Sequence, residues 1–209
     1  KLYQRAKRLR RSIPLIEERL IHHDRRLALI EGSESFLSDL MQADWDDPDD
    51  RRRLLLELKV ELEELLTPRR QRRRSGPPPG QPQPLEIRSE DGLLIQVGRN
   101  HRQNEWISLR QARAGDLWFH AQECPGSHVV LKASEAAAGE SDLQLAADLA
   151  AWFSRAKGNR RVPVVMTGVE HLQRIPGTAP GTVRHRQAEL VWAEPDRAHK
   201  ALEAWEPLA

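Results

Sequence analysis

Residues 67–84, TPRRQRRRSGPPPGQPQP, divide the chain into two parts that must build separate cores. The segment combines helix-ending prolines and glycines with five arginines, and it contains no aliphatic or aromatic side chain apart from proline. Such a composition cannot bury enough apolar surface to offset the conformational entropy lost on folding. We therefore predict a linker over residues 67–84, between an N-terminal region of residues 1–66 and a C-terminal domain of residues 85–209.

The region before the linker is predicted to begin with a long coiled-coil helix. Apolar residues recur with a 3-4 spacing over four heptads, which is typical of a coiled-coil seam. Position a holds Ala6, Ile13, Leu20 and Leu27, and position d holds Leu2, Leu9, Ile16, His23 and Ile30. We interpret His23 as a polar register residue and not as a ligand. We also expect Pro14 to kink this helix or to begin it, with Ser12 as its N-cap.

A second, shorter helix is predicted after the acidic segment DWDDPDD. Asp46 or Asp47 suits the N-cap and Pro48 the first turn. An apolar stripe follows at Leu55, Leu58, Leu62 and Leu65. This limb has a length of about 27 Å and the first is roughly twice as long. The outer part of the first limb therefore needs a missing segment, another protomer or another molecule as its partner. Because the chain begins in mid-helix without Met, we expect a fragment of a longer protein.

The part after the linker is predicted to be an α+β domain of about 125 residues, a usual domain size. LEIRSEDGLLIQVG alternates around an Asp-Gly turn and predicts a hairpin. DLWFHA, SHVVLK, VPVVMTG and AELVWAE predict strands. QNEWISLRQARAG and ESDLQLAADLAAWFSRAKG predict helices that end at Gly115 and Gly158. The fold class is therefore α+β, with an antiparallel helical arm, a linker, and a domain built on a central, mainly antiparallel sheet.

Composition excludes several classes of protein. Cys124 is the one cysteine, so the chain has no internal disulfide and favours a reducing compartment. No apolar run approaches the roughly 18 residues of a membrane span, and the basic start lacks the apolar core of a signal peptide. These features predict a cytoplasmic protein without a membrane partner.

Basic residues are clustered although the net charge is only +2. Between Arg155 and Arg186 there are seven basic residues and one acid, Glu170, and the first eleven residues carry six basic and no acidic residues. Clusters of this kind are typical of phosphate-binding surfaces, although they also occur on merely solvated faces. The five linker arginines could likewise either contact RNA or be only solvated.

WFHAQECPGSHVVLK, residues 118–132, raises the question of catalysis because Cys124 lies between His120 and His128. A nucleophile needs a base nearby, but no cysteine-enzyme signature surrounds this thiol, and the spacing does not suit zinc. A two-residue Pro-Gly hairpin loop would put the two histidines on opposite sheet faces, whereas a longer connection would return them to one face. We predict no catalytic residue, no metal site and no cofactor.

Two other segments favour binding. QVGRNHRQNEW places Arg99, Asn100, Gln103 and Asn104 at a loop that leads into a helix, where backbone amides also attract anions. Asn100 or Asn104 alone is equally well explained as an N-cap or turn residue. RIPGTAPGTVRHR contains two Pro-Gly turns framed by arginines and predicts an exposed basic loop. Most tryptophans are expected in the core, although an exposed one would stack on a base.

VGRNHRQNE, DLWFHAQECPGSHVV, a small-residue helix and VVMTGVEHLQRIPGTAPGTV together resemble, in this order, the NFACT-R domain. This domain belongs to the family of bacterial fibronectin-binding protein A (RqcH) and eukaryotic NEMF. The resemblance covers about residues 85–193, and the arm is similar to the family's middle coiled coil. The motif positions are Gly98, Arg99, Asn100, Gln103, Asn104, Asp116, Trp118, Phe119, His120, Pro125, Gly126, Ser127, His128, Pro180 and Gly181. The family usually has another residue at Cys124 and more lysines in the later loop.

The resemblance implies a part of a factor that rescues stalled ribosomes and promotes alanine tailing of nascent chains. Its partners would be tRNA, ribosomal RNA and the large subunit with peptidyl-tRNA, together with a coiled-coil partner or the missing N-terminal domain. We predict that RNA is bound by Arg99, Asn100, Gln103, Asn104, His120, Ser127, His128, Lys157, Arg174, Arg184 and Arg186. The alternatives are a fibronectin-binding adhesin and an RNA-modifying enzyme that uses His120, His128 or Cys124.

Overall fold

The computed structural model describes residues 2–42, 48–66, 81–175, 178 and 180–205. The predicted linker up to residue 80 lies outside the described residues, and so do Asp46, Asp47 and the side chain of Leu65. Two helices precede the linker: α1 (Leu2–Gln42) and α2 (Pro48–Leu66). Their lengths of 41 and 19 residues match the predicted long and short limbs.

The two helices of the arm pack together only near their junction. Phe36 and Leu40 of α1 form a small core with Leu54 and Leu58 of α2. Towards the N-terminus, the heptad seam of α1 is exposed, and Leu20 is 56% accessible to solvent. The outer part of α1 therefore has no apolar partner among the residues that the structure describes, as expected from the unequal limbs.

Pro14 does not begin α1, and of the two expected roles only a kink within the helix stays a prediction. The helix continues from Leu2 to Gln42 with Pro14 inside it. Ser12 is not an N-cap, because its Oγ donates to the carbonyl of Leu9 at 2.8 Å. A hydroxyl that bonds back to the preceding turn is compatible with a helix interior.

Among the described residues after the linker there are eight strands, and six of them form one sheet. The strands are β1 (Leu85–Arg88), β2 (Leu94–Val97), β3 (Leu117–Ala121), β4 (Val129–Leu131), β5 (Val162–Gly168), β6 (Gln173–Arg174), β7 (Val183–Arg184) and β8 (Glu189–Ala193). The sheet has the order β1-β2-β4-β3-β5-β8, and each neighbouring pair is antiparallel. The α+β class with a mainly antiparallel sheet is confirmed.

The two predicted helices of the domain are present, but they end earlier than predicted. The helical elements of the domain are α3 (His101–Glu105), which continues as a π-helix (Trp106–Gln111), α4 (Glu140–Trp152), a 3-10 turn (Val169–His171) and α5 (Pro195–Glu203). We predicted that two helices end at Gly115 and Gly158, but the π-helix ends at Gln111 and α4 ends at Trp152. We did not predict α5 or the small β6–β7 hairpin, which occupies part of the expected basic loop.

The sheet has one covered face and one partly open face. Alternate residues such as Phe119 and Val129 pack against the small side chains of α4, including Ala147. On the other face Trp118 and Val130 pack against the π-helix. The π-helix does not cover β8, where Leu190 and Trp192 are about half exposed. An open surface therefore begins beside Trp118 and extends to the sheet edge.

Candidate nucleic-acid interface

The connection between β3 and β4 places His120 and His128 on the same face of the sheet. Phe119 pairs with Val129 and Trp118 with Val130, so His120 and His128 lie opposite each other at the next position. Their ring centroids are 5.3 Å apart in a T-shaped arrangement. The two-residue hairpin loop does not form, because the connection contains residues 122–128 between the two strands. Both histidines therefore contribute to a single site.

Trp118 is the centre of a cluster of imidazole rings. It stacks on His120 with a centroid distance of 5.6 Å and contacts His128 edge-on at 5.0 Å. The ring of His185, from the segment after β7, lies 6.0 Å from Trp118. Trp118 is only 2% exposed, whereas His185 is exposed. The cluster thus leads from the core to the surface.

The imidazoles of His120 and His128 are held in the neutral form. Burial lowers the pKa of His120 to about 4, although hydrogen bonds to the carbonyls of Gly126 and Ala121 oppose the change. Burial also lowers the pKa of His128 well below its usual value, and the neighbouring His120 adds to this effect. Because the two rings are close together and poorly solvated, protonating both of them is unfavourable in free energy. At neutral pH the cluster offers hydrogen-bonding groups without charge.

Asn104 fixes the β3–β4 connection from the side of α3. Its Oδ1 accepts a hydrogen bond from the backbone N–H of His128 at 3.0 Å, and its Nδ2 donates to the carbonyl of Gly126 at 3.4 Å. Ser108 Oγ lies 2.8 Å from His128 Nδ1 and orients that ring. Ser127 is buried, and its backbone N–H donates to Phe153 at 2.8 Å. Asn104 and Ser127 therefore position the connection and are not themselves exposed.

A cavity of about 670 Å³ lies between the arm and this cluster. Arg25, Ala28 and Leu29 of α1 form one wall. The β3–β4 connection, which includes Cys124, and the segment around Val183 form the others. His101, Asn104, Trp118, His120, His128 and His185 also line the cavity. Its volume is within the range of small-ligand sites, about 300–1,000 Å³.

The donor-rich segment before α3 contacts the arm. Asn100 is the N-cap of α3, since its side chain accepts from the backbone N–H of Gln103 at 2.7 Å. The side-chain amides of Asn100 and Gln103 donate to Glu57 Oε2 on α2 at 2.9 and 3.1 Å. Gln103 Oε1 accepts from the backbone N–H of Arg99 at 2.9 Å. Asn100 and Gln103 are buried and join the domain to the arm.

Glu61 of α2 completes this joint at the start of α3. Its carboxylate accepts from the backbone N–H groups of His101 and Arg102 at 3.2 and 2.8 Å. We expected such amides to attract an anion, and in the structure that anion is a side chain of the arm. Burial raises the pKa of Glu61 to about 7, against the effect of these two hydrogen bonds. Burial also lowers the pKa of Arg99 to about 10.

Lys157 also contacts the arm. Its Nζ lies 2.8 Å from Asp39 Oδ1 and 2.9 Å from Gln42 Oε1, both on α1. Nearby, Arg155 lies 3.6 Å from Glu31 and 3.4 Å from Glu34. Two members of the basic cluster that we counted in the sequence, Arg155 and Lys157, are therefore directed towards acids of α1.

The remaining basic residues are exposed on the β6–β7 hairpin and just after it. Arg184 and Arg186 are exposed, and Arg174 is 53% exposed and lies 3.5 Å from Glu105. Val183 and His185, which alternate with these arginines, line the cavity. Because successive side chains of an extended segment point to opposite sides, Arg184 and Arg186 project from the outer side of the hairpin. Together with Arg174 they form a basic rim next to the cavity and not inside it.

The eleven predicted binding residues lie in three places. His120 and His128 line the cavity together with Asn104, while Arg174, Arg184 and Arg186 lie on its rim. Arg99, Asn100, Gln103 and Lys157 lie at the contact with the arm, and Ser127 is buried behind the cavity. The structure brings only the first group together around the cavity, with Asn104 and His128 buried in its wall and the three arginines exposed. Binding by any of the eleven stays a prediction.

Sequence reasoning missed the residues of the arm that complete the joint and the cavity. Glu57 and Glu61 are four residues apart and therefore lie on one face of α2. Glu61 is 9% exposed, an unusual burial for a carboxylate. The position of Glu57 and Glu61 on one helix face could have indicated this contact. It was not a specific indication, because acidic residues on a helix face are usually exposed to solvent.

Asp116, a motif position, supports the sheet and not the cavity. Its carboxylate accepts from the backbone of Arg113, from the backbone and hydroxyl of Ser134, and from Lys132 Nζ at 3.0 Å. Asp116 is fully buried and the Lys132 side chain is 8% exposed. Although burial acts in the opposite direction, these hydrogen bonds hold the pKa of Asp116 below its ordinary value.

The described part of the chain lacks two further kinds of site. Within it, no group of three or more His, Cys, Asp or Glu side chains is arranged to hold a metal ion. Among its helices, none has the length and apolar character required to cross a membrane. Cys124 is partly buried, and its Sγ donates to the carbonyl of Pro125 at 3.5 Å.

The chain is similar to a family of RNA-binding domains and to proteins named Rqc2 homolog RqcH. Residues 84–186 match the family described as the NFACT protein RNA binding domain. The chain is 35% identical to the Rqc2 homolog RqcH of Bacillus subtilis over 196 residues, which are 93% of this chain and 32% of that protein. It is 38% identical over 112 residues to the Rqc2 homolog RqcH of Streptococcus pneumoniae, covering 53% of this chain and 20% of that protein.

A solved structure has a similar fold across both parts of the chain. It is the C-terminal region of the fibronectin/fibrinogen-binding protein from Streptococcus suis, with a TM-score of 0.78 and 26% identity. The similarity covers 95% of this chain and 76% of that one. By contrast, the chain spans about a third of the length of the Bacillus subtilis relative.

Proposed function

The chain belongs to the RqcH family and carries its NFACT-R domain, and from this premise we propose that it binds RNA as part of a factor that acts on stalled ribosomes. The ligands we propose are tRNA and the RNA of a large subunit that carries peptidyl-tRNA. We further propose that the complete factor promotes alanine tailing and works in the cytoplasm. In this proposal the chain contributes binding and no catalytic group.

The observation that carries the proposal is the exposed basic rim beside the cavity. Arg184 and Arg186 are free of the arm contacts that hold Lys157. Exposed guanidinium groups bind phosphates in bidentate geometry, and alternating strand residues place them along one side. The other side of the same hairpin lines the cavity, so an RNA strand that crosses the hairpin with its phosphates on the rim would have bases within reach of the neutral aromatic rings.

The arm would set the orientation of the domain on the ribosome. Asn100, Gln103 and Glu61 join α2 to α3 through buried hydrogen bonds, and Lys157 joins α1 to the segment after α4. A domain held at two places cannot move freely with its linker. We propose that the arm acts as a lever that contacts tRNA or ribosomal protein while the domain contacts RNA.

A direct binding measurement tests the proposal. The 209-residue chain is titrated with tRNA at several salt concentrations, together with Arg184→Ala/Arg186→Ala and a control, Arg88→Ala/Lys59→Ala. The control removes the same charge on β1 and α2, away from the rim. We expect wild-type affinity to fall steeply with salt, and the rim variant to bind more weakly with a shallower slope. A salt-insensitive affinity, or equal loss in both variants, would contradict the proposal.

The same variants can be tested on the proposed target. Ultraviolet crosslinking to isolated large subunits with peptidyl-tRNA, mapped at nucleotide level, should give crosslinks that the rim variant loses and the control retains. An absence of crosslinks for wild type would contradict ribosome binding even if free tRNA is bound.

A second candidate function, binding to fibronectin, is favoured by one observation. The structural relative from Streptococcus suis is titled a fibronectin/fibrinogen-binding protein. Binding of the chain to immobilised fibronectin, unaffected by Arg184→Ala/Arg186→Ala and accompanied by no tRNA binding, would support this alternative over the first.

A further inference from the structure

The cavity beside Trp118 contains a cluster of flat, uncharged rings. Its floor is formed by the rings of Trp118, His120 and His128, and the ring of His185 stands at the exposed side. With a volume of about 670 Å³, it has room for a nucleotide-sized ligand. Tryptophan and histidine rings are the surfaces on which unpaired bases stack.

The polar groups in the cavity suit a neutral heterocycle better than a phosphate. Within the described part of the chain, the indole Nε1 of Trp118 is buried and has no hydrogen-bond partner. An indole N–H can only donate, so it needs an acceptor such as a base carbonyl or ring nitrogen. The low pKa values of His120 and His128 keep these rings neutral, which leaves them without the charge that a phosphate would require.

Positive charge is present at the mouth of the cavity instead of its floor. Arg25 on α1 is exposed at one side, and Arg184 and Arg186 flank His185 at the other, on the outer side of the hairpin. The carboxylates of Glu31 and Glu123 also line the cavity and would repel a phosphate inside it. This distribution, with uncharged rings inside and guanidinium groups outside, matches a nucleotide whose base enters and whose phosphates remain in solvent.

The open sheet face continues from the cavity towards β8. Val165 pairs with His120 on one side and with Leu190 on the other, so these side chains form a row across the sheet. Trp192 lies two residues after Leu190 on the same face, 51% exposed, with the guanidinium of Arg161 5.8 Å from its ring centre. A strand leaving the cavity along this row would meet a second stacking surface.

We propose that the cavity holds one unstacked base of single-stranded RNA, with the strand continuing over the sheet face to Trp192. This inference rests on the proposed RNA binding and specifies its ligand as an unpaired segment. Duplex RNA would reach only the basic rim, because its bases are stacked and paired and do not enter a cavity.

The test fills the cavity from the arm without altering the core. Ala28 is exposed on α1 and lines the cavity, so Ala28→Trp places an indole where the base would lie. Ala6→Trp makes the same substitution on the exposed outer part of α1 and is the matched control. The probes are a 12-nucleotide single-stranded RNA with a central 2-aminopurine and the duplex formed with its complement. Circular dichroism verifies that each variant is folded.

We expect wild type and Ala6→Trp to quench the 2-aminopurine fluorescence of the single strand, because the base stacks on the rings. Ala28→Trp should lose this quenching and bind the single strand about tenfold more weakly, with unchanged duplex affinity. If Ala28→Trp perturbs the fold, His185→Ala at the exposed side provides the second variant and should weaken single-strand binding in the same direction.

Two negative results are distinguishable. If wild type binds RNA and Ala28→Trp or His185→Ala binds the single strand equally well, the base-binding cavity is overturned while the proposed function stands. If wild type binds neither RNA, the proposed function itself is overturned, and the cavity has no such ligand.

Discussion

His120 and His128 face each other across β3 and the start of β4, with ring centroids 5.3 Å apart and Trp118 packed against both. Both side chains are on the face that opens into the cavity. The connection between these strands, in which Cys124 lies between the two histidines, therefore builds a cluster of uncharged rings. Cys124 lies on the wall of the cavity, beside this cluster.

The first prediction concerns the low pKa of His120. The unfolded chain takes up a proton near pH 6.5, whereas the folded ring does so only near pH 4. The unfolded state thus binds more protons between these values, and stability is lost as pH falls through this window. Urea unfolding from pH 7 to 4 should show a smaller loss for His120→Gln than for wild type. His22→Gln, an exposed histidine on α1, should retain the wild-type slope; equal slopes for all three would contradict the prediction.

Glu61 should give the opposite pH dependence. Its pKa rises from 4.5 to about 7 in the folded protein, so the folded state binds more protons between these values. The contribution of this residue to stability therefore decreases as pH rises from 4.5 to 7. Glu61→Gln should remove this component in the same urea experiment, while Glu63→Gln, with a 64% exposed side chain, should not. A Glu61→Gln profile parallel to wild type would disprove the assignment.

Gly32 should be required for the contact between the arm and the domain. A Cβ at this position would lie 2.8 Å from Cε1 of His101, whose Nε2 is 3.1 Å from the carbonyl of Leu29. Gly32→Ala gains about 1 kcal/mol of helix propensity but forces the ring to move, at a cost of about 1–3 kcal/mol. We expect net destabilisation in urea unfolding. Gly158→Ala, where no atom lies within 4 Å, is the control, and a stabilised Gly32→Ala would refute this packing.

The buried pair of Asp116 and Lys132 should be essential for the fold. Asp116→Asn removes the charge that balances an ammonium group that is 8% exposed, so we expect a loss of about 3–5 kcal/mol in the free energy of unfolding. Asp50→Asn, in the half-exposed pair with Arg53, should cost about 1 kcal/mol or less. Similar effects of the two substitutions would argue against the role of Asp116.

Cys124 should be dispensable. Cys124→Ser keeps the size of the side chain and a hydrogen-bond donor for the carbonyl of Pro125, which the thiol contacts at 3.5 Å. We expect unchanged tRNA affinity and unchanged crosslinking to large subunits. A large loss of either would revive an RNA-modifying activity that depends on the thiol.

Much of the fold followed from periodicity, and the failures have physical causes. The predicted strands match β1–β5 and β8 because burial of one face of a strand imposes alternation, and burial of both faces imposes a short apolar run. The β6–β7 strands have two residues each, too few to show a period. The helix that we ended at Gly158 ends at Trp152, where the chain turns so that Ser154 can bridge to Gly126. Periodicity could not predict this helix end, because the contact joins residues that are far apart in the sequence.

The sequence by itself determined which residues alternate, which helices are amphipathic and which family the motifs match, because these properties depend on neighbours along the chain. Tertiary structure alone decided that Asn100 faces Glu57, 43 residues earlier, and that His120 meets His128. Periodicity along the chain does not specify how the arm sits against the domain. One pose is stable because buried amides and N–H groups need acceptors, and the carboxylates of α2 supply them.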